Sequence, residues 1–477
     1  MRRKNKNIVL ERVLVENYAA EGKSLARVDG KVIFIENVIP GDVVDVKLSK
    51  NKKDWAEGFV TAWREYSPDR IEPFCPHFGV CGGCRWQMLP YAKQLEYKQQ
   101  QVMDNLRRIG KVQLPEIPPI LGAEQTIHYR NKLEYTFSSR RFLLPGELNN
   151  PDITPEQNVA GFHARGIFDK VVDIKTCFLQ EEPTNQLRLA VRDFAISRNV
   201  PFYDIKSHQG WLRTMQVRIC TTGEIMVNIV FGYEDEPNRI ALQEHILRQF
   251  PQLTTLLYTI NPKWNDSLND LEPRTAHGKG YVIEKLEDFR FKVGPKSFFQ
   301  TNTRQGERLY QITREFAELT GAQTVYDLYC GTGSIGIFLS RLAARIIGVE
   351  VIPEAIEDAR ENAALNNLSH ARFFAGDVIN VCNDEFFAAE GKPDVIVTDP
   401  PRAGMHEKLV RKILDMEAPT VVYVSCNPAT QARDLQLLDE KYVVTKVQPV
   451  DMFPHTHHIE NIVQLKKRGS PVPVLKN

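Results

Sequence analysis

From about residue 286 onward the chain repeats one pattern: a short unbroken apolar run, a turn, then a helical segment. Thr324-Val-Tyr-Asp-Leu-Tyr329, Ile346-Ile-Gly-Val-Glu350, Asp394-Val-Ile-Val-Thr398 and Thr420-Val-Val-Tyr-Val-Ser425 are the apolar runs, and Ile335–Leu342 and Pro353–Asn366 read as helices between them. Strands covered on one face alternate apolar and polar residues, whereas these hold consecutive apolar residues, so the sheet is expected to be buried on both faces. The pattern predicts a doubly wound α/β domain spanning 286–477.

The first strand runs into Asp327-Leu-Tyr-Cys-Gly-Thr-Gly333. Two glycines allow a tight turn and a close approach of backbone to a ligand. Glu350 closes the next strand, where its carboxylate can accept hydrogen bonds from both ribose hydroxyls of a nucleoside. A dinucleotide fingerprint would carry a third glycine at its usual place, and its absence argues against NAD. The order strand–Asp-x-x-x-Gly-x-Gly–helix–strand–Glu, followed by Gly376-Asp377 and Asp399-Pro-Pro, resembles a class I S-adenosylmethionine methyltransferase.

With 477 residues the chain exceeds what one core supports. Residues 7 to 63 hold short apolar runs separated by Asp29-Gly30 and Pro40-Gly41, which predicts a small antiparallel barrel over 1–66. Residues 67–285 form a mixed central domain. The net charge of +1 excludes no class of partner, because a neutral total can hide one basic groove. Residues 1 to 70 do lean basic, with Arg2-Arg3-Lys4 and Lys50-Asn-Lys52-Lys53. No apolar run reaches the roughly 20 residues of a membrane span, and the start lacks a signal-type block, so the expected location is the cytoplasm, away from any membrane.

Chemistry concentrates near the C-terminus. Cys426, in Ser425-Cys-Asn-Pro428, stands where a buried strand hands its thiol to a pocket. Carbon 5 of a pyrimidine is a poor nucleophile until something adds to carbon 6, and a thiolate supplies that addition. A base must later remove the carbon 5 proton, and Glu460, in His455-Thr-His-His-Ile-Glu460, is the candidate. The histidines lack a ligand set suited to zinc and read as hydrogen-bonding and stacking groups.

Cys75-x5-Cys81-Gly-Gly-Cys84 puts three thiols on one tight loop, and Cys177 is the fourth. Disulfides are not expected in a cytosolic chain, and four thiolates suit either zinc or an iron–sulfur cluster. A radical S-adenosylmethionine enzyme would use three cysteines and an open iron, which the fourth thiol and the separate sheet oppose. His128-Tyr-Arg-Asn-Lys132 joins an aromatic ring, a planar cation and an amide, groups able to stack on an extruded base or bind its phosphate.

Taken together, Phe298-Phe-Gln-Thr-Asn302, Asp327–Gly333, Asp399-Pro-Pro-Arg402, Ser425–Pro428 and His455–Glu460 resemble the RNA uracil-5-methyltransferase family. Glu21-Gly22-Lys23 and Val38-Ile-Pro-Gly-Asp42 resemble a TRAM domain, an RNA-binding barrel related to the OB-fold. The resemblance implies that Gln300, Tyr329, Ser334, Glu350, Asp377 and Asp399 line the methyl-donor and target pocket, although relatives often carry Asn at the Ser334 position. It implies a four-iron, four-sulfur cluster on Cys75, Cys81, Cys84 and Cys177, and RNA contacts by Arg130 and Lys132. The expected reaction is methylation of carbon 5 of a uridine through a Cys426 adduct. The expected substrate is 23S ribosomal RNA, because barrel and cluster occur together; tRNA is the alternative, and a non-catalytic RNA-binding assembly factor is a third reading that intact Cys426 and Glu460 oppose. No protein partner is evident.

Overall fold

The computed structural model describes residues 8–19, 22–148 and 150–469. Arg2-Arg3-Lys4 and Glu21 lie outside the described residues.

Six strands, Val9–Leu14, Asn17–Tyr18, Ser24–Val28, Lys31–Ile35, Val43–Asn51 and Trp55–Glu65, pair in the spatial order first, fifth, sixth, fourth, third, second. Their inward residues Ala26, Ile33, Ile35, Val44, Val46 and Ala56 close a small core. Asp42 is fully buried beside it. It is tolerated there because its carboxylate accepts from the backbone N–H groups of Ile39 and Ser67, each at 2.9 Å, and from Arg70 at 2.5 Å.

The central domain holds a seven-stranded sheet in the order Arg274–Gly278, Thr255–Ile260, Ile225–Phe231, Leu212–Ile219, Lys132–Ser138, Val159–His163, Val171–Asp173. Helices Thr184–Ser197 and Glu236–Gln249 contribute Leu187, Val191, Leu242 and Ile246 to one core with Tyr135, Val217 and Ile229 of the sheet. A hairpin, Val282–Leu286 with Phe289–Val293, shares its core with the C-terminal sheet, so the boundary expected at 285/286 falls inside this hairpin.

The C-terminal sheet has the order Ala371–Ala375, Arg345–Glu350, Thr324–Leu328, Val395–Thr398, Thr420–Ser425, Glu460–Lys467, Tyr442–Val450. The first five strands are parallel, and Glu460–Lys467 runs antiparallel to both neighbours. The doubly wound α/β class expected from the sequence is what forms. The chain reverses its winding between Thr324–Leu328 and Val395–Thr398, which opens a crevice at their carboxyl ends.

Two buried polar joints hold the domains together. Asn131 donates from Nδ2 to the Gln300 carbonyl and to Thr303 Oγ1, both at 2.8 Å, and its own carbonyl accepts from Gln180 at 2.9 Å. Lys98, in the helix Tyr91–Asn105, donates to Asp451 at 2.6 Å with both side chains fully buried. Burial pulls the Lys98 ammonium down and Asp451 opposes that pull. Removing one charge would strand the other, so Lys98→Met is expected to lower unfolding stability by about 3–5 kcal/mol. Thermal denaturation of the variant against wild type measures this.

Candidate active site

Ser425 pairs with Asn461 in the ladder between Thr420–Ser425 and Glu460–Lys467. The next residue along each strand is Cys426 and Glu460, so the antiparallel register sets them opposite one another just beyond the last rung. Asp399 follows the neighbouring strand Val395–Thr398 at the same end of the sheet. Two residues separated by 34 positions in sequence therefore meet because of one reversed strand.

The electrostatics agree with that proximity. Burial pushes the Cys426 thiol up to about 11, with Glu460 and Asp399 adding to the rise and Arg402 opposing it. Burial likewise holds the Glu460 carboxyl well above its ordinary range, Asp399 reinforcing and Arg402 opposing. Asp399 itself is raised to about 7 by burial. The resting site thus keeps its thiol protonated near neutrality. Alkylation of Cys426 by iodoacetamide, followed by mass spectrometry of its peptide, is expected to be slow at pH 7 and to rise about tenfold per pH unit up to pH 10, as the thiolate fraction does.

Arg402 was not singled out from the sequence, although it closes the quoted motif Asp399-Pro-Pro-Arg402. Its carbonyl accepts from Asn427 Nδ2 at 3.0 Å, which ties its loop to the turn after Cys426. Asp327 was also passed over as a site residue. It is fully buried, its Oδ2 accepts from the Gly336 N–H at 2.8 Å, and its Oδ1 has no partner.

The donor crevice is built from the turn after Thr324–Leu328. Tyr329 leaves the strand with φ of 62°, Gly331 and Gly333 follow with φ of 52° and 76°, and a Cβ on Gly331 would meet open space. Glu350 accepts from the Gly331 N–H at 3.2 Å and the Ile352 N–H at 3.1 Å, which aims its carboxylate across the turn. Asp377 lies exposed after the next strand and caps the N–H of Ile379 at 2.8 Å. Its charge raises the nearby Tyr329 hydroxyl, after burial. Ser334 Oγ pairs with Tyr310 at 2.9 Å, and Gln300 is buried on the segment fixed by Asn131. An open glycine turn, an acid at its rim and the orphaned Asp327 oxygen fit a nucleoside-bearing methyl donor.

The loop before Glu460 is clamped from the cysteine segment. The His455 carbonyl accepts from the N–H groups of Arg85 at 2.8 Å and Trp86 at 3.0 Å, and Gln94 Nε2 donates to its ring Nδ1 at 3.1 Å. Burial lowers His455 and His458 to about 4 and His457 to about 3, so all three are neutral near pH 7. Among the described residues no group of three or more His, Cys, Asp or Glu side chains is gathered closely enough to hold a metal ion. Cys75, Cys81, Cys84 and Cys177 instead ring a cavity of about 310 Å³ whose wall includes Arg130 and Lys132. Burial raises all four thiols, Cys84 to about 12 and Cys177 to about 11, while Arg165 opposes the rise at Cys81 and Arg188 at Cys177. Arg130 lies over the Phe453 ring at 5.2 Å, and burial lowers the Lys132 ammonium. Both cations are therefore half-buried beside the thiols.

Comparison with known proteins places these features in a family. Residues 274–468 match the tRNA (uracil-5-)-methyltransferase model and residues 10–61 the TRAM domain model. A Bacteroides thetaiotaomicron protein described as an uncharacterized RNA methyltransferase is 53% identical over 94% of this chain and 100% of its own length. A Porphyromonas gingivalis protein with the same description is 49% identical over 94% of this chain and 98% of its own. The crystal structure of Pyrococcus abyssi tRNA (uracil-54, C5)-methyltransferase in complex with S-adenosyl-L-homocysteine matches with a TM-score of 0.74 and 27% identity, covering 95% of this chain and 100% of that one. On these grounds the chain belongs to the S-adenosylmethionine-dependent RNA uracil-5-methyltransferase family.

Proposed function

We propose that the protein methylates carbon 5 of a uridine in 23S ribosomal RNA through a covalent adduct, with Cys426 as nucleophile and Glu460 as base. The observation that carries this reading is the ladder register that faces Cys426 with Glu460 at the mouth of the crevice. S-adenosylmethionine, when bound, supplies an electrophilic methyl and a positive charge. Gln300, Tyr329, Ser334, Glu350 and Asp377 hold that donor, and Asp399 faces the target base. Cys426 Sγ, having passed its proton to solvent, adds to carbon 6, and the electron pair released onto the ring makes carbon 5 nucleophilic toward the methyl. Glu460, ionised, takes the carbon 5 proton; the carbon 6–sulfur bond then breaks and the thiolate is restored. Arg402 favours the ionised form of both groups.

The cysteine residues fit a four-iron, four-sulfur cluster. Four thiols surrounding a cavity, with cations on its wall, suit a polynuclear anionic group better than a single ion, which needs its ligands drawn to one point. Arg130 and Lys132 would then face both that group and the RNA beside it. The protein acts in the cytoplasm, where its RNA resides; among the described residues no helix is long and apolar enough to cross a membrane.

A tRNA uridine is the second reading, favoured by the likeness to the Pyrococcus abyssi enzyme. Mass mapping of both RNAs from cells lacking this protein separates the two: loss of one 5-methyluridine from 23S RNA supports the first, and loss from tRNA alone replaces it with the second.

A further inference from the structure

The outer face of the barrel carries a row of aromatic side chains that the reaction does not use. Along Trp55–Glu65, Ala56 and Val60 turn into the barrel core, while Trp55, Phe59 and Trp63 face out, 36%, 50% and 40% exposed. Phe34 stands 6.2 Å from Trp55, and Tyr66 is stacked at 6.2 Å on Trp63. The strand pairs with Val43–Asn51 along nearly its whole length and with Lys31–Ile35 over Trp55–Gly58, which fixes the outward direction of its rings. Three large rings left in water on one strand form an apolar surface of the kind that marks an interaction site.

Cations are interleaved with the rings. Lys47 is the cross-strand partner of Phe59, and Glu57, between Trp55 and Phe59, is bound by Lys23 at 3.0 Å and Lys50 at 2.7 Å. Lys47, Lys52 and Lys53 have no ion-pair partner among the described residues. A protein or membrane partner would be met by a continuous apolar face. A row of rings with the unpaired Lys47 beside Phe59, and with Lys52 and Lys53 on the turn leading into Trp55, matches unpaired nucleotides, whose bases stack and whose phosphates pair with lysine.

The row also lies on a body held against the catalytic loop. Tyr18 packs on Trp86 at 4.9 Å, and a Cβ on Gly22 would stand 2.9 Å from the His457 Cβ. A strand laid on the barrel is thereby kept at a set distance from Glu460.

We infer that the outer face of Trp55–Glu65 is a stacking platform for single-stranded RNA flanking the target uridine. The row from Trp55 to Trp63 spans about 26 Å at roughly 3.3 Å per residue, room for about four or more nucleotides. The platform makes an unpaired flank part of what the enzyme selects. It rests on the reading of the protein as an RNA-modifying enzyme.

The test uses the full chain, with single-stranded oligouridylate and the same strand annealed to oligoadenylate as probes. Wild type is expected to bind the single strand with quenching of tryptophan fluorescence and to bind the duplex more weakly. Trp55→Ala/Phe59→Ala/Trp63→Ala is expected to lower single-strand affinity by roughly a hundredfold, about fivefold or more per ring. Its melting temperature should hold, since these rings are outside the core, and Trp55→Phe/Trp63→Phe should bind like wild type. With substrate RNA the triple variant should raise KM and leave kcat at saturation. Equal affinity of wild type and triple variant for oligouridylate, or equal binding of strand and duplex, overturns the inference. Wild type that forms no methyluridine on any RNA overturns instead the parent reading, whatever the oligouridylate result.

Discussion

Cys426→Ala is expected to abolish methyl transfer to RNA, lowering turnover by about 10⁴-fold or more, while the protein stays folded and still binds S-adenosylmethionine. The size follows from the proposed mechanism, in which carbon 5 stays a weak nucleophile without the Cys426 thiolate. Folding should survive because Cys426 lies past the end of its strand, outside the ladder. Single-turnover transfer of labelled methyl, read beside calorimetric donor binding, checks both halves. Transfer at the wild-type rate would remove Cys426 from the mechanism.

Glu460→Gln should behave differently, because the role proposed for this carboxylate comes after the methyl has moved. The adduct forms and carbon 5 is methylated, but the remaining proton has no acceptor, so sulfur cannot leave. The expected result is a denaturant-resistant protein–RNA species carrying the new methyl, with multiple turnover reduced by about 10²- to 10⁴-fold. Gel electrophoresis under denaturing conditions, with labelled RNA, reads it directly. A variant that turns over normally, or that forms no adduct while Cys426 remains reactive, would show that the carboxylate serves elsewhere. The wild-type rate should rise with pH across neutrality, since burial holds Glu460 above its ordinary range and Cys426 near 11. In the proposed mechanism both must lose a proton before they act.

The doubly wound class was legible because buried parallel strands leave a mark in the sequence: four largely apolar runs separated by turns and helical segments. The glycine turn was legible for a related reason, since Gly331 and Gly333 occupy left-handed backbone that other residues rarely enter. Arg402 was harder to see. An arginine in a loop is ordinarily solvated, and its effect on Cys426 and Glu460 comes from a fold that brings the loops after two strands and the start of a third to one point. The outer aromatic row was equally hidden, because Trp55, Phe59 and Trp63 read as strand residues whose face depends on which neighbours the strand acquires.

The amino-acid order was enough to place a glycine turn after a buried strand and to single out Cys426, Glu460 and the four cysteines as candidates, because each of these is written in residue type and short spacing. It could not say that Lys98 and Asp451 share one dry pocket, that His455 is held by the backbone of Arg85 and Trp86, or that Glu460 faces Cys426. Those are contacts between positions far apart in the chain. They follow from the reversal of one strand and the docking of three domains, where burial energies summed over many residues outweigh any local preference.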